Sequence, residues 1–238
     1  MRLTAPIYLL KRQARLLSRE QSLPLHQALD QVARSQGFRN WSLLARKLAA
    51  RQPTAKVFAA LHNGDMMLIG GRAGQGKTTL GVELAIAAMN AGQRAFFFSL
   101  EYTQADIAAQ FSSLGHHLQT YTSLFEFDAS DAICAAYIQA RLKPVHPNTL
   151  VVIDYLQLLD QRRSNPAIAE QVASLKQFAQ QRDIRLVFLA QIDRRYQPGK
   201  KPLPDLSDVR LPNPLDLSLF NKTCFLQAGE LSLANNSN

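Results

Sequence analysis

The stretch Gly71-Arg72-Ala73-Gly74-Gln75-Gly76-Lys77-Thr78 constrains this chain more than any other, because it fills every fixed position of the GxxxxGK[ST] pattern. Glycines let the backbone turn with positive φ and bring successive N–H groups close to phosphate oxygens, with no Cβ in the way. Met66-Met67-Leu68-Ile69 before the loop is a short apolar run of buried-strand type, and Leu80, Leu84, Ala87 and Ala88 after it recur at helical spacing. Strand, glycine loop and helix in that order form an amide cradle that opens onto a helix N-terminus, where the dipole also favours an anion. The expected phosphate-binding residues are Gly71, Arg72, Ala73, Gly74, Gln75, Gly76, Lys77, Thr78 and Thr79. Lys77 is expected to reach the β- and γ-phosphates of ATP, and the Thr78 hydroxyl to ligate Mg2+.

The rest of the chain from residue 53 supports that reading. Apolar runs at 66–69, 95–99, 124–127, 150–153, 186–190 and 223–227 alternate with helical patterns, the signature of an α/β fold with a mostly parallel sheet covered by helices. Thr54 is a candidate cap for a connecting helix through Val57, Phe58 and Leu61, ending at Asn63-Gly64. Thr103-Gln104-Ala105-Asp106 resembles a capping box, and two further helices are expected at about 130–143 and 167–181.

Three of the runs end in polar residues. Leu150-Val151-Val152-Ile153 delivers Asp154, a carboxylate suited to a metal beside Thr78. Ala95 to Leu100 delivers Glu101, which can orient or deprotonate a water, or can instead cap the following helix; the residues alone leave both open. Leu186 to Ala190 delivers Gln191, whose amide can both donate to a γ-phosphate and accept from water, or can serve as a plain loop hydrogen bond.

These blocks carry a resemblance. Phe98-Ser99-Leu100-Glu101, Val152-Ile153-Asp154-Tyr155-Leu156-Gln157-Leu158, Ser174-Leu175-Lys176, Ala190-Gln191-Ile192-Asp193-Arg194 and Asp205-Leu206-Ser207-Asp208-Val209-Arg210 resemble, in order and spacing, the ATPase domain of the DnaB-type replicative helicases, over about residues 60–226. The resemblance implies a RecA-like P-loop fold, hydrolysis of ATP with Mg2+, and single-stranded DNA held by loops after the later strands. It implies Lys77 and Thr78 on phosphate and metal, Glu101 as catalytic base, Asp154 as metal carboxylate and Gln191 as γ-phosphate sensor. Candidate nucleic-acid contacts are Arg162 and Arg163 after the Asp154 strand, then Arg194, Arg195, Lys200 and Lys201. The sequence departs from the family in two places. The hairpin that in the family supplies a lysine and an arginine finger to a neighbour is expected to be cut short, since no Lys or Arg follows Lys222. A short basic segment stands where the family has a globular N-terminal domain. Slow intrinsic hydrolysis, or a finger from elsewhere, follows, with Arg194, Arg195 and Arg210 as local candidates.

Charge divides the chain unevenly. Residues 1–55 hold ten Lys/Arg against Glu20 and Asp30, whereas the remainder holds 17 basic and 16 acidic residues. A basic helical segment over 1–52 that meets a polyanion, followed by a nearly neutral ATPase domain over 53–238, fits this asymmetry; so does a solvated face that keeps the protein soluble. Helical spacing puts Ile7, Leu10, Ala14 and Leu17 on one face of residues 5–19, with Lys11, Arg12, Arg15 and Arg19 opposite. A second helix follows Pro24 and stops at Gly37; a third starts from Asn40 and buries Trp41, Leu44 and Leu48.

Other classes are poorly supported. No apolar run approaches the roughly 18 residues that span a bilayer, so a cytoplasmic protein is expected. Cys134 and Cys224 lack ligand spacing and read as two buried, reduced thiols, and His116-His117 reads as a solvated loop pair. Two functions from different classes remain: a helicase-like ATPase, as a homo-oligomer, and an accessory ATP-binding module that docks on another ring helicase. A small-molecule kinase is disfavoured by the Ser-Leu-Glu and Asp-Tyr-Leu-Gln blocks.

Overall fold

The computed structural model describes residues 7–44, 53–160 and 164–236. The chain divides into two compact units, Met1–Lys56 and Val57–Asn238.

In the first unit, α1 (Ile7–Glu20) and α2 (Leu25–Ser35) form a helical hairpin. Leu10 and Ala14 meet Ala28 and Val32 at helical spacing, with Leu17, Leu29 and Trp41 packed around them. Trp41 is therefore a packing residue. Asn40 accepts from Leu43 N at 2.9 Å, as a cap should, and helix is described over residues 41–44. Leu48 lies outside the described residues, as do Arg46, Lys47 and Arg51.

The second unit is built on a seven-stranded sheet. Its strands are β1 (Met66–Gly71), β2 (Ala95–Ser99), β3 (Phe125–Asp128), β4 (Leu150–Asp154), β5 (Arg185–Gln191), β6 (Lys222–Gln227) and β7 (Glu230–Asn235). They lie in the order β3-β2-β4-β5-β1-β6-β7, parallel throughout except for the antiparallel β6–β7 pair. Parallel strands buried on both faces need continuous apolar runs, which is why Met66–Ile69 and Leu150–Ile153 lack polar alternation. The period-two geometry still sorts them: Met66, Leu68, Phe96, Phe98, Val151 and Ile153 face one core. Met67, Ile69, Phe97, Leu150 and Val152 face the other.

Helices cover both faces. Residues of α3 (Pro53–Ala60), α4 (Lys77–Asn90) and α5 (Gln104–Ser113) close the second core, including Val57, Leu84, Ile107 and Phe111. Those of α6 (Ala135–Leu142) and α7 (Ile168–Arg182) close the first, including Ile138, Leu142, Val172 and Leu175. Among the described residues no helix is long and apolar enough to cross a membrane.

Several expectations need correction. The helix expected from about 130 starts at Ala135, because Asp128 Oδ1 accepts from Ser130 N and Ser130 Oγ accepts from Ala132 N, holding this stretch in turns. The last strand, β7, goes beyond the expected set: Ala228 and Gly229, at φ of 50° and 81°, reverse the chain and pair Gln227 with Glu230. A hairpin thus does follow β6, although it carries no cation after Lys222. Cys224 is buried as expected and its thiol is pushed up to about 12 by burial, but Cys134 is only partly buried; both are free. His116 is also not simply solvated, since its Nδ1 lies 2.9 Å from the Tyr121 hydroxyl.

Candidate nucleotide-binding site

Because β1, β2, β4 and β5 run parallel, their carboxyl ends meet at one edge of the sheet. The loop after β1 crosses that edge. Gly74 and Gly76 adopt φ of +76° and +86°, a region costly for a residue with a Cβ, and a Cβ on either would point into open space. Gly76 is also the N-cap of α4 and offers no side-chain acceptor, so the first-turn amides of α4 are left for an anion from outside the helix.

A cavity of about 340 Å³ opens over this loop. Ala73, Gly74, Gly76, Lys77, Thr78 and Thr79 form one wall. Glu101 just past β2, Asp154 at the end of β4 and Gln191 at the end of β5 complete it. Three strand ends far apart in sequence thus converge on the glycine loop. Of the remaining loop residues, Gly71 closes β1, where a Cβ would crowd Lys77 Cγ at 3.2 Å. Arg72 O accepts from Lys77 Nζ at 3.2 Å, while Gln75 turns to the hairpin, its Oε1 accepting from Ala228 N at 2.6 Å.

The electrostatics are those of charges held short of partners. Burial pushes the Asp154 carboxyl up to about 6; the Thr78 hydrogen bond and Lys77 oppose that, and the charge of Glu101 adds to it. Thr78 Oγ1 donates to Asp154 Oδ2 at 2.8 Å. Burial also lowers the Lys77 pKa, against the pull of Asp154 and Glu101. A hydroxyl and a carboxylate side by side at a phosphate loop form an oxygen donor set that fits magnesium, a hard cation that binds through few protein ligands plus phosphate. The Asp154–Tyr155 peptide is cis.

Helix capping is settled for Glu101. Thr103 closes the capping box of α5 with Asp106 in both directions, so α5 has its cap without Glu101. Glu101 N donates to Ser99 Oγ at 3.1 Å, which fixes the backbone as it leaves β2. Its side chain is left exposed at the cavity.

The basic candidates fare differently. Arg162 and Arg163 lie outside the described residues. Arg194 and Lys200 are exposed, and Arg195 is exposed but paired with Asp193 at 3.1 Å. Lys201 bonds Asp205, and Asp208 at 2.8 Å, so its charge is largely answered within the chain. The 205–210 segment is in turn stitched to the site edge: Arg210 N donates to Gln191 O at 2.8 Å, and Gln157 Nε2 donates to Arg210 O at 2.6 Å.

Tyr102, Gln110 and Tyr155 also line the cavity, beyond the expected residues. Tyr102 and Tyr155 each follow an identified carboxylate and were legible by adjacency. Gln110 carried no local signal, because only the packing of α5 on α4 places it there.

The comparisons with known proteins agree with this geometry. The family model of the DnaB-like helicase C terminal domain matches residues 53–122 and 118–213. The replicative DNA helicase DnaB of Mycoplasma pneumoniae is 26% identical over 197 residues, covering 66% of this chain and 41% of that protein. The DnaB of Rickettsia felis is 27% identical over 199 residues, covering 65% and 40%. The chain thus spans about two fifths of the length of these relatives. Among solved structures, one described as a DnaB-like replicative helicase and its interactions with primase superposes with a TM-score of 0.59 at 16% identity, covering 91% of this chain and 66% of that one. A solved ATPase domain superposes with a TM-score of 0.56, also at 16% identity, covering 81% of this chain and 91% of that one. These two likenesses show the RecA-like fold, and the family match, which spans well over half of the sequence, shows that the chain belongs to the DnaB-like helicase C-terminal domain family.

Proposed function

We propose that this chain is an ATPase of the helicase type, binding ATP with Mg2+ at the glycine loop and acting on single-stranded DNA. The observation that carries the reading is the convergence of Glu101, Asp154 and Gln191 on the cavity walled by Gly74 to Thr79. Loop amides and the first turn of α4 hold phosphate oxygens, and Lys77 leaves Arg72 O to meet the β- and γ-phosphates. Thr78 and Asp154 would hold Mg2+, which when bound neutralises phosphate charge. Glu101 orients a water for in-line attack on the γ-phosphorus and takes its proton as the bond to the β-phosphate oxygen breaks and ADP leaves. Gln191 donates to the γ-phosphate; since Gln191 O accepts from Arg210 N, the segment at 205–210 is attached to the residue that senses it.

No cation reaches this site from the β6–β7 hairpin of the same chain, since Lys222 is buried against Asp65 at 3.5 Å and Asn235 at 3.1 Å. Intrinsic hydrolysis is therefore slow, and an added cationic side chain from a neighbouring subunit or partner raises it, by analogy with arginine fingers worth roughly 10³–10⁵ in rate. DNA contacts fall to Arg194, Arg195 and Lys200, with Arg162 and Arg163 and the basic residues of 1–52 as further candidates. The pairing of Arg195 and Lys201 with acids favours a second reading, an accessory module that docks on another ring helicase and uses nucleotide as a switch.

Gel filtration with and without ATP, joined to an ATPase assay with single-stranded DNA, separates the two. An ATP-dependent oligomer stimulated by DNA supports the first; a nucleotide-binding monomer indifferent to DNA supports the second. Absence of any nucleotide binding removes both.

A further inference from the structure

We propose that Tyr102 and Gln110 form the base-reading part of the nucleotide cavity and bias it toward adenine; this rests on the ATP reading above. The cavity lining falls into two chemical sets. The loop residues, Lys77, Thr78, Asp154, Glu101 and Gln191 suit phosphates, a cation and a water. Tyr102, Gln110 and Tyr155 are neutral and planar, and suit an aromatic ring with polar edges.

Topology puts the Tyr102 and Gln110 set away from the γ-phosphate sensor. β4 lies between β2 and β5, so Gln191 at the end of β5 and Tyr102 just past β2 stand on opposite sides of Asp154. With the γ end of a triphosphate between Gln191 and Glu101, the rest of the nucleotide lies along the first turn of α4, in the same cavity that Thr79, Tyr102 and Gln110 line. The capping box at Thr103 sets where α5 begins, and Ile107 and Phe111 turn one face of it into the core. Gln110 falls beside that face, on the cavity.

The two side chains are left available. Gln110 is half-buried, and among the described residues its side-chain amide has no hydrogen-bond partner. Tyr102 is half-buried and packs on the α4/α5 core, and its hydroxyl likewise has no partner among the described residues.

Their chemistry assigns them separate tasks. A carboxamide presents an acceptor beside a donor, which pairs with the N6–H donor and N7 acceptor of adenine, whereas guanine shows two acceptors, O6 and N7, on the same edge. Gln110 therefore supplies selectivity. An aromatic ring stacks on any base with similar strength, so Tyr102 supplies affinity without choice.

The test uses the full chain, with ribose-labelled fluorescent ATP and GTP titrated against wild type, Gln110→Ala, Gln110→Glu, Tyr102→Ala and Lys77→Ala, each checked for folding by circular dichroism. Wild type is expected to bind ATP about tenfold more tightly than GTP. Both Gln110 variants are expected to lose most of that ratio through weaker ATP binding, while GTP binding stays within about twofold; Glu keeps the size but loses the donor. Tyr102→Ala is expected to weaken both nucleotides by about tenfold and leave the ratio unchanged. An unchanged ATP/GTP ratio in folded Gln110→Ala and Gln110→Glu overturns this proposal alone. Wild-type affinity in Lys77→Ala, or no nucleotide bound by wild type, overturns the ATP reading and this proposal together.

Discussion

The two ends of the same sheet treat buried charge in opposite ways. At the amino end, Arg185 is buried and its Nη2 donates to Gln93 Oε1 and to Asn148 O at 2.6 Å, while the guanidinium lies 5.1 Å from the Phe58 ring centre and its Nε is left without a hydrogen-bond partner among the described residues. Lys222, at the start of β6 on the far side of β1, meets Asp65 and Asn235, and Asn221 also donates to Asp65. At the carboxyl end, Lys77 has one backbone oxygen, and Asp154, only 2% exposed, has one hydroxyl while burial pushes its carboxyl up to about 6. The amino end answers Lys222 with an acid and gives Arg185 neutral partners; the carboxyl end holds two opposite charges with one hydrogen bond each. Titratable groups shifted by burial and by one another gather at functional sites, which is why the carboxyl edge is the candidate site.

That contrast can be broken or sharpened by substitution. The largest effect is expected for Glu101→Gln, which should keep nucleotide binding but lower turnover by roughly 10²–10⁴-fold, measured as phosphate release. Turnover at the wild-type rate would remove Glu101 from the reaction. Lys77→Ala should next weaken ATP binding by roughly 100-fold in a calorimetric titration without lowering the melting temperature, because the charge removed had no strong partner in the fold.

Asp154→Asn tests the site edge through pH. The folded carboxyl binds its proton more tightly than the unfolded one, which titrates near 3.8, so its contribution is present below pH 4 and is lost as pH rises through about 6. Above that, ionised Asp154 costs at most about 3 kcal/mol. The Asn variant without nucleotide should therefore be more stable than wild type at pH 8 and lose that advantage by pH 4, as followed by urea unfolding. Equal pH profiles would show the carboxylate is not strained. At the opposite end, Asp65→Ala should cost about 1–3 kcal/mol by leaving Lys222 buried with only Asn235, while ATP affinity stays the same. A fall in ATP affinity there would mean the two ends are coupled.

Much of this was legible in the sequence because its causes are local. The glycine loop needs particular residues at fixed spacing, and the β1, β2, β4 and β5 runs need unbroken apolar side chains to be buried on both faces. Thr103 and Asp106 announce α5 within four residues and form the box they imply. The errors came where a segment's state depends on a partner that its own residue pattern does not announce. β7 is mixed in burial, with the pattern exposed, then intermediate, then exposed, and has a reason to extend only once β6 offers it an edge. Lys201 read as a cation for DNA until folding of the 196–208 loop set it against Asp205 and Asp208.

By itself, then, the sequence determined that a glycine loop turns from a strand into a helix at residues 71–79 and that carboxylates stand at strand ends, since backbone sterics and burial on two faces act through neighbouring residues. Only the tertiary structure decided that β2, β4 and β5 stand in the order that brings Glu101, Asp154 and Gln191 to one cavity, and that Gln110 joins them. Strand order is set by which helix-covered faces can be buried together, and no stretch of the chain carries that information alone.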